Sequence, residues 1–244
     1  MLKRLFFFVL MICLIFSCDE KKNDDKDSDK TEIESSRSER ISSPHKSEDR
    51  QVYEESKLAK PADSINNKNT VRFLEKYGAL NPETQLVLKT RLGDIGLRLY
   101  EDTPLHRASF VFLAKVGYFD TTCFYRVVPD FIIQGGESER LDTQRYKARY
   151  MRYKIPPEFR DNRKHKYGAL ALARDWVNNP QKKSTAFEFY IVQNRKGAHH
   201  LDGEHTVFGE VTYGFETIDR IVNLKAGSDE WPLEDVFMKI EVVK

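Results

Sequence analysis

Arg126 is the side chain in this sequence best placed by its neighbours to do chemistry. It lies in the run Phe124-Tyr125-Arg126-Val127-Val128, between apolar β-formers. The turn Pro129-Asp130 follows, then a second apolar run, Phe131-Ile132-Ile133, closed by Gln134-Gly135-Gly136. A guanidinium in an apolar frame is costly unless it is paired or working. It is permanently charged, offers five N–H donors in a fixed fork and accepts nothing, so it can stabilise an oxygen or a lone pair but cannot act as base or nucleophile. Taken alone, an Arg in a structural ion pair fits the same residues. The glycine pair points to a backbone that bends or approaches something closely. His199, His200 and His205 form the other concentration of chemically able groups. Their spacing does not match H-E-x-x-H, and no carboxylate or Cys completes a ligand set, so no metal is expected.

Those residues need a scaffold, and the composition provides for one. The chain has 244 residues, 12% aromatic and 32% charged, with a net charge of +2. That suits a real core joined to a strongly solvated portion. The charge balance and the lack of a basic stripe exclude a nucleic-acid partner. The three cysteines, Cys13, Cys18 and Cys123, are too few and scattered for a disulfide framework.

The first eighty residues have a different purpose. Met1-Leu2-Lys3-Arg4 is a basic start, and Leu5 to Phe16 is an unbroken apolar run, too short for a permanent span of about 20 residues. Leu14-Ile15-Phe16-Ser17-Cys18 resembles a bacterial lipobox, which implies a signal peptide over 1–17 and acyl chains on Cys18. An ordinary signal peptide or a signal anchor is the alternative. Localisation is then the cell envelope, on the periplasmic side or the outer surface, with membrane attachment through Cys18. The acidic residues Asp19, Glu20, Asp24, Asp25, Asp27 and Asp29 resemble a surface-export signal and fit a solvated tether equally well. From Asp19 to about Asn69 almost nothing is apolar, so this stretch reads as disordered. About fifty such residues reach roughly 40 Å. Within the 18–80 region, Val71 to Leu80 carries apolar residues at helical spacing, and Gly78 could end the helix.

From residue 81 to 244 the pattern changes. Gln85–Thr90 and Ile95–Tyr100 read as a hairpin around Arg91-Leu92-Gly93-Asp94. Asp102-Thr103-Pro104 reads as a helix cap, with Phe110, Leu113 and Ala114 as its apolar stripe and Gly117 as its end. Glu139 to Lys154 is rich in Arg and Tyr and reads as a surface loop. His165 to Arg174 alternates small and apolar residues, which suits a tightly packed strand. Phe215 to Leu224 reads as a second amphipathic helix and Val236 to Val242 as a last strand. The residues alone establish a mostly antiparallel β domain with two helices.

The run Phe124 to Gly136 resembles the cyclophilin signature F-H-R-x-x-x-x-F-x-x-Q-G-G, with Tyr125 in place of the His. Ile155-Pro156-Pro157-Glu158-Phe159, His165 to Arg174, Ser184 to Ile191 and His200 to Val211 resemble further motifs of that family, the peptidyl-prolyl cis-trans isomerases. The resemblance implies a closed eight-stranded antiparallel β-barrel capped by two α-helices. It implies that Arg126 is catalytic and that Phe131, Ile132, Tyr190 and Leu201 form a proline pocket. Gln134 would hold substrate and Arg126, His205 would sit at the rim, and Ala173 and Arg174 would line a groove that binds peptide by backbone. Glu188 stands where the family has Gln and is expected to pair with Arg126. His200 stands where the family has the Trp that contacts cyclosporin, so weak cyclosporin binding is expected. Tyr190 replaces the usual Phe and adds a hydroxyl needing a partner. The implied activity needs no cofactor, and the implied partners are proline-containing polypeptides bound by a monomeric domain. A binding module without useful catalysis is the competing reading, and a surface protein in which the tether does the work is a third.

Overall fold

The computed structural model describes residues 65–150 and 153–243. The expected signal segment over 1–17, the expected lipidation site Cys18 and the expected tether up to residue 64 lie outside them. Eight strands form a closed antiparallel barrel: β1 (Gln85–Thr90), β2 (Gly93–Leu99), β3 (Cys123–Val128), β4 (Ile132–Glu137), β6 (Ala169–Leu172), β8 (Phe189–Val192), β9 (Val207–Tyr213) and β10 (Val236–Val242). Their order around the barrel is β1-β10-β3-β4-β8-β6-β9-β2. Two short strands, β5 (Lys154–Ile155) and β7 (Ser184–Thr185), pair outside it.

Period-two alternation sorts the side chains of each strand between two faces. Leu86, Leu88, Ile95, Leu97, Phe124, Ile133, Leu170, Phe189, Ile191 and Phe208 turn inward and are almost fully buried in the main core. Rings dominate it: Phe110 lies 4.8 Å from Phe119, 5.5 Å from Phe189 and 5.2 Å from Phe208. Each such buried ring contributes about 1.5–3 kcal/mol.

Four α-helices lie among the described residues, against the two expected of the barrel domain and the one expected over Val71 to Leu80. The expected pair is present as α2 (Pro104–Lys115) and α4 (Phe215–Val222). Thr103 makes no capping bond with its side chain. Instead the buried carboxylate of Glu158 accepts the N–H groups of Leu105 and His106, at 3.1 and 2.9 Å, and so caps α2 from 53 and 52 residues away. Helix α2 is buried well beyond its predicted stripe, because α1 (Thr70–Leu80) covers its other side. Phe73 and Tyr77 meet Phe112 at 5.3 and 5.2 Å. Gly78 does not end α1, which continues to Leu80. A side chain there would meet the Ala108 Cβ at 3.0 Å, so the glycine permits close helix contact.

The fourth helix, α3 (Leu141–Arg149), corrects the surface-loop reading of Glu139 to Lys154. It has no apolar stripe to reveal it, and Leu141 is exposed. Polar contacts hold it: Thr143 Oγ1 donates to the Thr121 carbonyl at 2.8 Å, Tyr146 Oη donates to the Val116 carbonyl at 3.0 Å, and the buried Lys147 pairs with Glu137. Hydrophobic periodicity cannot detect a helix anchored in this way.

Candidate active site

A β-bulge explains the oddly placed Arg126. Phe124 pairs with Gly135 and Arg126 with Gln134, leaving Tyr125 as the extra residue of β3. Phe124 faces the core, so regular alternation would return Arg126 to it. The bulge instead brings both Tyr125 and Arg126 out of the core, half-buried. From Arg126 the register runs on across four more strands: Arg126 opposite Gln134, Gln134 opposite Tyr190, Tyr190 opposite Ala171, and Ala171 opposite Val207. The charged donor, the amide and the apolar wall therefore share one row. The glycine pair permits this register. Gly136 has φ +98, and a Cβ there would meet the Phe187 carbonyl oxygen at 2.1 Å.

Beside the row lies a second apolar cluster, separate from the main core. It contains Ile132, Tyr190 and Leu201 with Ala171, Val192 and Val207, and Phe131 packs against it. All four expected pocket residues are thus in one place. The β3–β4 turn places Phe131, with Asp130 in the left-handed region at φ +57 and the Phe131 carbonyl accepting N–H bonds from Gln193 and Asn194 at 2.8 and 3.1 Å. The ring of His200, in the position of the family Trp, stacks on Phe131 at 5.4 Å.

Tyr190 has a partner for its hydroxyl. Nε2 of the buried His165 lies 3.0 Å from it, and Nδ1 of the same ring lies 2.8 Å from Asp202 Oδ1. Burial lowers the His165 pKa, which favours the neutral ring. Nδ1–H then donates to Asp202, and Nε2 accepts from the Tyr190 O–H. Burial alone would raise the Asp202 pKa, but hydrogen bonds from the His165 backbone and ring and from His199 hold it low. Burial raises Tyr190 well above an ordinary phenol, so its hydroxyl stays neutral. The Ala198 N–H donates to the His165 carbonyl at 2.7 Å, tying the turn that carries His200 and Leu201 to this ring.

His205 completes the wall, 5.5 Å from Tyr190 between ring centroids. Its Nδ1 lies 3.2 Å from the Leu172 carbonyl and must carry the proton. Burial pushes its pKa down to about 4. The exposed Trp176 lies 5.3 Å from His205, and the Arg174 guanidinium covers Trp176 at 4.1 Å. Arg174 is also held by the Glu204 carboxylate at 2.6 Å and by the Glu204 carbonyl at 2.8 Å. The Ala173 N–H donates to the Glu188 carbonyl and the Ala173 carbonyl accepts from the Thr185 N–H, both at 2.8 Å.

The neighbourhood of Arg126 departs from expectation. Glu188 does not pair with it. Glu188 instead accepts from Tyr125 Oη at 3.1 Å and lies 3.4 Å from Lys147 Nζ. Gln134 does not hold it either, since its amide donates to Tyr125 Oη. The partner of Arg126 is Glu230, with Nε donating to Oε2 at 2.5 Å. Tyr125, in the place of the family His, draws both expected holders to itself. Its phenol is pushed far up by burial and then by the Glu188 charge, so it remains a neutral donor.

A model of the cyclophilin-type peptidyl-prolyl cis-trans isomerase/CLD family matches residues 85–243. The chain belongs to the cyclophilin-type isomerase family. A peptidyl-prolyl cis-trans isomerase-like 1 of Gibberella zeae is 33% identical over 66% of this chain and 96% of its own length. A Staphylococcus aureus relative named putative peptidyl-prolyl cis-trans isomerase is 30% identical over 68% of this chain and 97% of its own. A putative bifunctional phosphatase/peptidyl-prolyl cis-trans isomerase of Streptococcus pyogenes is 30% identical, and the chain spans only 43% of its length. Among solved structures, a cyclophilin-type isomerase of Cryptosporidium parvum overlays with a TM-score of 0.55 at 23% identity, over 66% of this chain and 98% of its own. A second structure of it, in the presence of the dipeptide Ala-Pro, gives 0.53 at 22% identity. These two likenesses concern the fold.

Within this cyclophilin domain, sequence reasoning missed Glu230, Trp231, Trp176 and the link from Tyr190 to His165. Trp231 lies 5.6 Å from the Tyr125 ring. The one available signal was an acidic, Trp-bearing loop, Asp229-Glu230-Trp231-Pro232, just before the last strand. Nothing in its pattern points to β3.

Proposed function

We propose that this domain accelerates rotation about X-Pro peptide bonds of flexible polypeptides. The observation that carries the reading is the single row that sets Arg126 and Gln134 beside the apolar wall of Tyr190, Ile132 and Leu201. Rotation about a peptide bond faces a barrier of about 18–20 kcal/mol, because the planar amide is conjugated. In the twisted amide the proline nitrogen regains its lone pair. A proline ring seated against Phe131, Ile132, Tyr190 and Leu201 fixes one side of the bond, and the Arg126 terminal N–H groups favour the twisted state over the planar one. Gln134 orders the floor through Tyr125, and His205 closes the rim as a neutral ring. No covalent intermediate is required, and the substrate class is proline-containing segments in which cis is populated at roughly 10–30%. The test is exchange spectroscopy on a short Ala-Pro peptide. Acceleration by the wild-type chain that Arg126→Ala removes supports the proposal, and equal background rates for both overturn it.

The cellular setting is part of the proposal. Acyl chains on Cys18 would hold the chain at a membrane of the cell envelope, on the periplasmic side or the outer surface, and the monomeric domain would assist folding of envelope proteins there. The lipobox-like end of the apolar run supports this. Radiolabelled fatty acid incorporated by the wild-type chain and not by Cys18→Ala is the expected result, and label in both would contradict it.

A second reading has one specific observation in its favour. Arg126 is engaged by Glu230 and Arg174 by Glu204, which would suit a domain that grips proline peptides without turning them over. Peptide binding by wild type with no rate enhancement would select it.

A further inference from the structure

Arg126 can serve as a donor only if its planar fork is held still, and neither residue expected to hold it does so. Gln134 and Glu188 are both engaged by Tyr125 Oη. The carboxylate on Arg126 comes from the loop after α4, from a residue 104 positions away in sequence. We propose that Glu230 is the positioning residue for Arg126. This inference rests on the reading of Arg126 as the catalytic donor.

Three observations separate Glu230 from a passing surface acid. Its backbone is fastened to the strand that carries Arg126: the Val127 N–H donates to the Glu230 carbonyl at 2.9 Å. Its φ is +66, a left-handed conformation that non-glycine residues seldom adopt and that surrounding structure must enforce. The enforcement is visible in the loop. The Glu230 N–H donates to the Gly227 carbonyl at 3.0 Å, the Gly227 N–H donates to the Trp231 carbonyl at 2.8 Å, and the Trp231 ring packs on Tyr125 at 5.6 Å. The carboxylate is therefore delivered to one place by anchors on both Val127 and Tyr125.

The atom it takes is the informative detail. Bonding is to Nε, the inner edge of the guanidinium, at 2.5 Å. That fixes the plane of the fork and leaves both terminal nitrogens for the substrate amide. Both side chains are partly exposed, at 33% and 43%, so the pair adds little to folding. Its effect lies in ordering a donor before substrate arrives.

The test measures kcat and KM on an X-Pro peptide for the full chain and its Glu230→Ala, Glu230→Lys, Glu230→Gln, Arg126→Ala and Arg126→Ala/Glu230→Ala variants, with thermal unfolding of each. Glu230→Ala is expected to lose about tenfold in kcat with little change in KM. Glu230→Lys, which puts a donor where an acceptor is needed, should lose at least as much. Glu230→Gln keeps an acceptor oxygen and should stay within about threefold of wild type. In the Arg126→Ala background the Glu230→Ala change should have no effect, because a positioning residue acts only through the group it positions. A folded Glu230→Ala or Glu230→Lys variant as fast as wild type, or faster, overturns the inference while an inactive Arg126→Ala preserves the isomerase reading. An equal loss in the Arg126→Ala background also overturns it. An Arg126→Ala variant as fast as wild type removes the reading on which the inference rests.

Discussion

The two halves of the site are built in different ways. The apolar half is carried by adjacent strands, with Tyr190 on β8, Ala171 on β6 and Val207 on β9 in register and Ile132 on β4 opposite Val192. The turn holding Leu201 is tied back through His165 and Asp202. The charged half has Arg126 on a bulge and takes its partner from a distant loop. Barrel register secures the pocket. A loop with strained backbone secures the donor. The pocket should therefore resist single changes in its polar surroundings, while the donor should be sensitive to them.

The largest expected effect falls on the charged half. Arg126→Ala should lower kcat/KM by about 10²–10³, the usual cost of removing a preorganised donor at a developing charge, with the circular dichroism spectrum unchanged. A loss confined to KM would break the distinction, since Arg126 would then only bind.

Acid should weaken the apolar half next. His205 has its pKa pushed down from 6.5 to about 4, so folding favours its neutral form. The unfolded chain takes up a proton first as pH falls. Stability from this residue is complete above about pH 6.5 and is lost progressively toward pH 4, on the order of 3 kcal/mol in total. Urea midpoints of wild type and His205→Gln across that range should converge as pH falls. A constant difference would show that His205 is not buried neutral.

Leu201→Ala should then cost about tenfold in kcat/KM, mostly as KM, because it removes apolar wall without touching the donor. A fall in kcat alone would mean that the pocket positions Arg126. Tyr190→Phe is the mildest change. It should alter kcat by less than about threefold but lower unfolding free energy by roughly 1–2 kcal/mol, since His165 Nε2 loses its hydrogen-bond donor inside the protein. An unaltered denaturant midpoint would contradict the Tyr190–His165 bond.

Particular residues show what the sequence could reveal. Pocket positions such as Ile132 and Tyr190 were legible through the order of the family motifs they resemble; taken singly, each fits plain core equally well. Helix α3 was not, because Thr143, Tyr146 and Lys147 hold it by polar bonds rather than an apolar stripe. The extent of α1 was obscured by Gly78, which reads as a stop and serves as a contact with Ala108. The Arg126 partner was misassigned because Glu188 is close to the row, yet Tyr125 intercepts it. A hydrogen bond spanning 104 residues to a loop of no fixed pattern leaves no periodic trace. Substituting Tyr125 for the family His marked a changed neighbourhood without indicating what had replaced it.

The central claim is that this row of side chains turns X-Pro bonds. Magnetisation exchange between the cis and trans signals of an Ala-Pro peptide, with the chain present at far below peptide concentration, tests it most directly. The account predicts an exchange rate that rises in proportion to the wild-type chain and stays at background with Arg126→Ala. Background exchange with wild type, on a peptide shown to be bound, would contradict it.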